Sequence, residues 1–289
     1  MPSARSFQFL RGFLLFLNAS IWLCACSHKP EFTLQQIWKT EGFLVPESVL
    51  IVGEGAQQRL FVSQIDGKGG DADGKGGIAE INAEGAIINA NWISGLNAPK
   101  GMAAFNDRMY VADLTQLIII DINEDKIIQK LPLPQAQFAN DVAVDKNGIV
   151  FVSDTMANQV YRIENGYASV LVKNADGANG LSLSDKGVFI GCGEELKFYD
   201  FQKKSLDTLE SGFTKNLDGI ATLDDRHLLV SVWAGKIYEY KLDGHKKAVL
   251  LDSIEQKINT ADIAVDQKSR VLYVPNFLNN SVTAYKVLP

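Results

Sequence analysis

A chain of 289 residues with 46% hydrophobic and 21% charged side chains can bury a sizeable core and is too apolar to be disordered. Its net charge of −6, with no basic stripe, excludes nucleic acid as a partner. Of three cysteines, Cys24 and Cys26 stand together near the N-terminus, so Cys192 is left alone and no disulfide framework can form.

Residues 1–25 read as a secretory signal, with Arg5 and Arg11 ahead of an apolar run from Phe13 to Leu23 that is too short to span a bilayer comfortably. The run ends in Leu23-Cys24-Ala25-Cys26, which resembles a bacterial lipobox with Cys26 as the residue that receives lipid. An ordinary signal peptide or an N-terminal tail anchor is the competing reading. Lipidation of Cys26 implies an exported lipoprotein held on a membrane by its N-terminal lipid alone, facing the periplasm or the cell surface. Residues 26–31 then form a tether, and Ser27 after Cys26 fits outer-membrane sorting.

Residues 32–289 are expected to form one domain. Residues 32–39 have strand character but belong to no repeat. From Glu47 onward one unit recurs six times, roughly 40 residues apart. Its clearest copy starts at Asn140-Asp141-Val142, turns at Asp145-Lys146-Asn147-Gly148, resumes through Val150-Phe151-Val152, and alternates again through Val160, Tyr161 and Ile163. That is a run of short antiparallel strands with an Asn-Gly hairpin between the first two. The other copies start at Glu47-Ser48, Lys100-Gly101, Asn179-Gly180, Asp218-Gly219 and Ala261-Asp262. Six copies with room for four strands each predict an all-β fold, a six-bladed β-propeller with four-stranded blades. The last copy has only three strands before the chain ends, so residues 32–39 are expected to supply the fourth and close the ring. The first copy carries a glycine-rich insertion, residues 66–77. Its Asp71-Ala72-Asp73-Gly74 lacks the third ligand and the distal Glu of a calcium loop, and a glycine-rich hairpin is the better reading.

The innermost strand of a blade starts at the mouth of the central channel, so six repeats gather six first residues there: Glu47, Lys100, Asn140, Asn179, Asp218 and Ala261. Two carboxylates and two carboxamides form an oxygen donor set suited to a hard divalent cation, calcium above all, with magnesium, manganese or zinc as alternatives. Second strands return to the same mouth and place Gln64, Asp113, Asp154, Trp233 and Asn276 in an outer ring. Asn140, Lys100, Asp113, Asp154 and Trp233 are therefore candidate contacts to a small-molecule ligand. Asn-Gly and Asp-Gly also recur as turn signals, which accounts for Asn179 and Asp218 but not for Glu47, followed by Ser48 and Val49.

At these residues the chain resembles the senescence marker protein 30, gluconolactonase and luciferin-regenerating enzyme family over the whole propeller. Glu47, Asn179 and Asp218 match the three positions at which that family holds its metal, and Asn140 matches a further site asparagine. The resemblance implies a metal-assisted hydrolase of small lactones or esters, in which Asp218 activates water. The chain departs from the family at Lys100, which puts a cation at the mouth, and at residues 137–139, Gln-Phe-Ala, where the family's substrate-gripping arginine is missing. His28, His227 and His245 lie in the tether and near outer turns, which argues against a Ser-His-Asp arrangement or a histidine-based zinc site. Cys192 reads as a buried structural thiol, and Trp92, Phe151, Tyr161, Tyr238 and Tyr273 as blade packing. Two functions remain: a divalent-metal hydrolase with Asp218 as base, or a non-catalytic propeller lipoprotein that binds a sugar-like ligand or a protein partner. A monomer is expected in either case.

Overall fold

A computed structural model describes residues 28–289. The chain starts with β1 (Thr33–Glu41) and then builds its blades in order. Blade one is β2 (Pro46–Val52), β3 (Arg59–Gln64), β4 (Gly76–Ile81) and β5 (Ile87–Leu96). Blade two is β6 (Pro99–Phe105), β7 (Arg108–Asp113), β8 (Gln116–Asp121) and β9 (Lys126–Pro132). Blade three is β10 (Ala139–Val144), β11 (Val150–Asp154), β12 (Gln159–Glu164) and β13 (Tyr167–Lys173). Blade four is β14 (Ala178–Ser184), β15 (Gly187–Cys192), β16 (Glu195–Asp200) and β17 (Ser205–Glu210). Blade five is β18 (Leu217–Asp224), β19 (His227–Val232), β20 (Lys236–Lys241) and β21 (Lys246–Asp252). Blade six is β22 (Ala264–Asp266), β23 (Val271–Asn276), β24 (Ser281–Leu288) and, as its outer strand, β1.

The protein is thus a six-bladed β-propeller closed by its N-terminal strand. β1 pairs antiparallel with β24 from Thr33 opposite Leu288 to Glu41 opposite Ser281, with one irregularity between Gln36 and Trp38. The last blade thereby gains the fourth strand that the other five have, and the two ends of the chain are held in one sheet. The register also fixes polarity. Glu41 reaches the end of the molecule where Asn276 and Ser281 lie, so the segment before Thr33 emerges on the opposite face.

Alternating strands bury both faces of every blade, and six apolar clusters form, one at each seam between neighbouring blades. Phe61, Trp92, Met102 and Val111 join blades one and two; Phe32, Leu229, Ile263 and Leu272 join blades five and six. Phe32, just ahead of β1, therefore packs across the closing seam. The hairpin between β10 and β11 differs in detail from a two-residue Asn-Gly turn. Only Gly148 takes a positive φ, of 80°, and the Gly148 N–H bonds the Asp145 carbonyl, which is a type I turn followed by a left-handed glycine. Cys192 is buried in β15, and desolvation pushes its thiol up to about 12, so it is an inert neutral thiol.

Candidate functional site

Each of the first five innermost strands carries a β-bulge at the same place, between Pro46 and Val49, Pro99 and Met102, Ala139 and Val142, Ala178 and Leu181, and Leu217 and Ile220. The bulged dipeptides are Glu47-Ser48, Lys100-Gly101, Asn140-Asp141, Asn179-Gly180 and Asp218-Gly219. A bulge leaves backbone unpaired and re-aims side chains. In three blades a serine from the second strand caps the freed N–H: Ser63 Oγ accepts from Ser48 at 2.9 Å, Ser153 Oγ from Asp141 at 2.9 Å, and Ser231 Oγ from Gly219 at 2.8 Å. The first residue of each dipeptide faces the mouth, and the second lies one layer deeper.

The glycines of that deeper layer are demanded by closeness, not by turns. Gly180 and Gly219 lie within strands and have no positive φ, yet a Cβ on Gly180 would overlap the Asp218 carbonyl oxygen and one on Gly219 would overlap Asp262. Innermost strands of adjacent blades approach the axis this tightly at their bulges. The Asn-Gly and Asp-Gly pairs are therefore packing signals here.

The mouth is a cavity of about 250 Å³ lined by Glu47, Lys100, Asn140, Asn179, Asp218 and Trp233, with Phe138 and Phe277 at its apolar side. Gly69 of the blade-one insertion also lines it. Glu47, Asp218 and Lys100 are all at least 95% buried. Asn179 Nδ2 donates to Asp218 Oδ1 at 3.1 Å, and Asn140 Nδ2 donates to Thr155 Oγ1 at 2.9 Å. Glu47 Oε2 is buried without any hydrogen-bond partner. Lys100 Nζ donates to the Ala98 carbonyl at 2.8 Å and sits 4.3 Å from the centre of the Phe138 ring.

Beneath the mouth lie two further acids that the repeat placed only as second residues, Asp141 and Asp262. Asp141 accepts the Val142 and Leu181 N–H groups, both at 2.6 Å, and so joins blades three and four. Asp262 accepts from Ser48 Oγ at 2.5 Å and joins blades six and one. Burial, followed by mutual repulsion, drives Glu47, Asp141 and Asp218 well above the ordinary carboxylate range. Asp262 is raised by burial to about 7, against the pull of its Ser48 hydrogen bond. Burial lowers the Lys100 ammonium to about 8, a fall that Glu47 and Asp113 resist. Three buried acids and the partly buried Asp262 thus share the channel with one desolvated lysine.

Asp113 and Asp154 do not reach this cavity. Both are fully buried, and their oxygens are taken by backbone N–H groups: those of Asn97 and Ala98 for Asp113, and those of Gln137, Phe138 and Ala157 for Asp154. Gln64 and Asn276 do comparable work, as Gln64 Oε1 accepts from Leu44 and Asn276 Nδ2 donates to the Asn259 carbonyl. The outer ring expected at the ends of second strands is thus a set of loop clamps, with Trp233 alone lining the cavity. The loop before each innermost strand runs over that point, and its free N–H groups need acceptors. Ala261 N–H bonds the Pro275 carbonyl, and the short alanine adds no chemistry to the mouth. Cys26 lies outside the described residues.

No known family model matches the chain, and no curated protein sequence matches it. Solved structures do. The chain is similar to virginiamycin B lyase from Staphylococcus aureus, in a catalytically inactive form carrying a histidine-to-alanine replacement and bound to quinupristin, at 14% identity with a TM-score of 0.63, over 89% of this chain and 99% of that one. It is likewise similar to a streptogramin B lyase at 11% identity and a TM-score of 0.63, over 89% of this chain and 98% of that one. At such identities the likeness is one of fold, and it extends over the full propeller. The finer resemblance to the gluconolactonase family rests on the mouth residues alone.

Proposed function

We propose that the mouth is a divalent-cation-dependent hydrolase site for a small lactone or ester, with Glu47, Asn179 and Asp218 as the ion's ligands. The observation that carries this reading is the crowding of Glu47 and Asp218 in a buried site where Glu47 Oε2 has no partner. Buried like charges of this kind call for a proton or a metal ion between them. The donor set is all oxygen, which suits calcium or magnesium first and manganese or zinc after them. A cation held there supplies Lewis-acid polarisation of an ester carbonyl. Asp218 takes up the proton of the attacking water, and Asn179 orients its carboxylate through the Nδ2 hydrogen bond. Lys100 offsets negative charge that develops on the substrate. A cavity of about 250 Å³ is smaller than most ligand pockets, roughly 300–1,000 Å³, and so favours a small ring.

The structurally similar lyase is inactive in a form with one histidine replaced, whereas no histidine lines this cavity. That difference weighs against extending its chemistry to this chain. A second reading, a non-catalytic binder of a sugar-like ligand or a protein partner, draws on the aromatic side of the mouth, where Trp233 and Phe277 meet edge to face at 5.7 Å. Assaying a lactone panel by proton release separates the two: Asp218→Ala abolishes turnover under the hydrolase reading, while absence of turnover in the wild type with retained sugar binding supports the binder. If Cys26 is lipidated, the tether joins the propeller on the face away from the mouth, leaving the mouth open to solvent.

A further inference from the structure

A second cluster sits at the seam of blades five and six, on the face opposite the mouth. Glu31, just before β1, His227 at the start of β19 and Glu239 in β20 bring one ligand atom each to within 4.8 Å of one another. His227 Nε2 is 3.3 Å from Glu31 Oε2 and 3.8 Å from Glu239 Oε1. His227 and Glu239 are almost wholly buried, their side chains 1% and 3% exposed, whereas Glu31 is 36% exposed.

The other atom of each ligand is already held. His227 Nδ1 lies 2.7 Å from Asp224 Oδ1. Glu239 Oε2 accepts the N–H groups of Glu31 and Phe32 at 2.8 and 3.4 Å, and Glu31 Oε1 accepts from Lys241 Nζ. An ionised carboxylate can only accept, so Nδ1 carries a proton and Nε2 is the ring atom left to face Glu31 and Glu239. Nε2 is buried, has no hydrogen-bond partner within bonding geometry, and lies beside two carboxylate oxygens. Two carboxylates converging on a buried ring nitrogen call for a positive centre between them, a proton or a metal ion. A histidine whose far nitrogen is fixed by a carboxylate is also the arrangement that orients an imidazole for a metal. Bonds of about 2.0–2.2 Å around a tetrahedral ion separate its ligand atoms by roughly 3.4 Å, which falls between the two distances found.

We propose that Glu31, His227 and Glu239 bind a divalent ion of the zinc class, which fastens the segment ahead of β1 to blade five. The mixed imidazole and carboxylate set favours zinc or cobalt over calcium and magnesium, the reverse of the all-oxygen mouth. Charge agrees: Glu31, Glu239 and Asp224 face two cations, Lys241 and Arg270, the latter 3.8 Å from Asp224 and stacked 4.8 Å from the Phe32 ring. Because Glu31 adjoins the strand that closes the ring, the ion ties blade five to that strand across the closing seam.

The test uses the full-length protein, stripped with a chelator and titrated with Zn²⁺ and, separately, Co²⁺. Wild type and Glu47→Gln should both show cobalt d–d bands of tetrahedral intensity and a zinc-dependent rise in thermal midpoint. His227→Gln placed in the Glu47→Gln background should lose both signals. Glu31→Gln, altered at an exposed position that leaves the core intact, should bind zinc at least about 10-fold more weakly. No zinc binding by the wild type, equal affinity in wild type and Glu31→Gln, or binding lost in Glu47→Gln but kept in His227→Gln would each overturn the proposal.

Discussion

Gly180 carries no chemistry, yet an added methyl there would occupy the space of the Asp218 carbonyl oxygen. Backbone against backbone cannot relax by rotating a side chain. Gly180→Ala should therefore cost about 3 kcal/mol or more, read as a lower urea midpoint at unchanged slope, and it should disturb the mouth through Asp218. A cost under 1 kcal/mol would mean that the innermost strands can spread. Asp262 gives a prediction in pH. Its folded proton affinity is raised to about 7, so between about pH 4 and 7 the folded state holds a proton that the unfolded chain has released. Stability of the metal-free protein then falls as pH rises through that window. Asp262→Asn should raise the thermal midpoint at pH 8 relative to wild type and change it little at pH 4.5; an equal shift at both would point to packing instead of charge. These residues show how far the sequence could be read. Periodicity placed Glu47, Lys100, Asn140, Asn179 and Asp218 together because each opens a repeat. It misjudged Asp113 and Asp154, whose partners are N–H groups of irregular loops that follow no period. Asp141 and Asp262 were visible as second residues of the repeat, but nothing in the pattern said that a bulge turns both residues of the pair toward the axis.

Among the elements, β1 was legible from a deficit: the last repeat is one strand short, and the only unassigned strand precedes the first. Its register with β24 and the packing of Phe32 between blades five and six give that strand its energetic weight. Removing residues 31–40 should abolish the cooperative thermal transition, and Phe32→Ala alone should cost about 3–5 kcal/mol. A deletion that unfolds at the wild-type midpoint would contradict the closure. The path of Glu31 past β19 and β20 could not be read from the chain, since His227 and Glu239 lie about 200 residues away in blade five and share no motif with it. The sequence argued against histidine-based metal binding because its histidines lie in the tether and near outer turns, and the proposed zinc-class site departs from that expectation.

At the scale of the whole molecule, the propeller separates two tasks. Six seam clusters hold the ring, so the channel mouth is free to gather polar residues that would be intolerable in a core built as one block. Three buried acids and the partly buried Asp262 crowd around a single lysine, and in the metal-free protein their raised proton affinity offsets that crowding. The central claim is that the mouth binds a divalent cation through Glu47. The most direct measurement is the thermal midpoint of wild type and Glu47→Gln titrated in parallel with calcium, magnesium and manganese at pH 7.5, ions that the imidazole-containing seam site disfavours. The account predicts a saturating rise in wild type with at least one hard ion, equivalent to about 2.7 kcal/mol at 100 times the dissociation constant, and no rise with that ion in Glu47→Gln. The same rise in both proteins, or none with any ion, would contradict it.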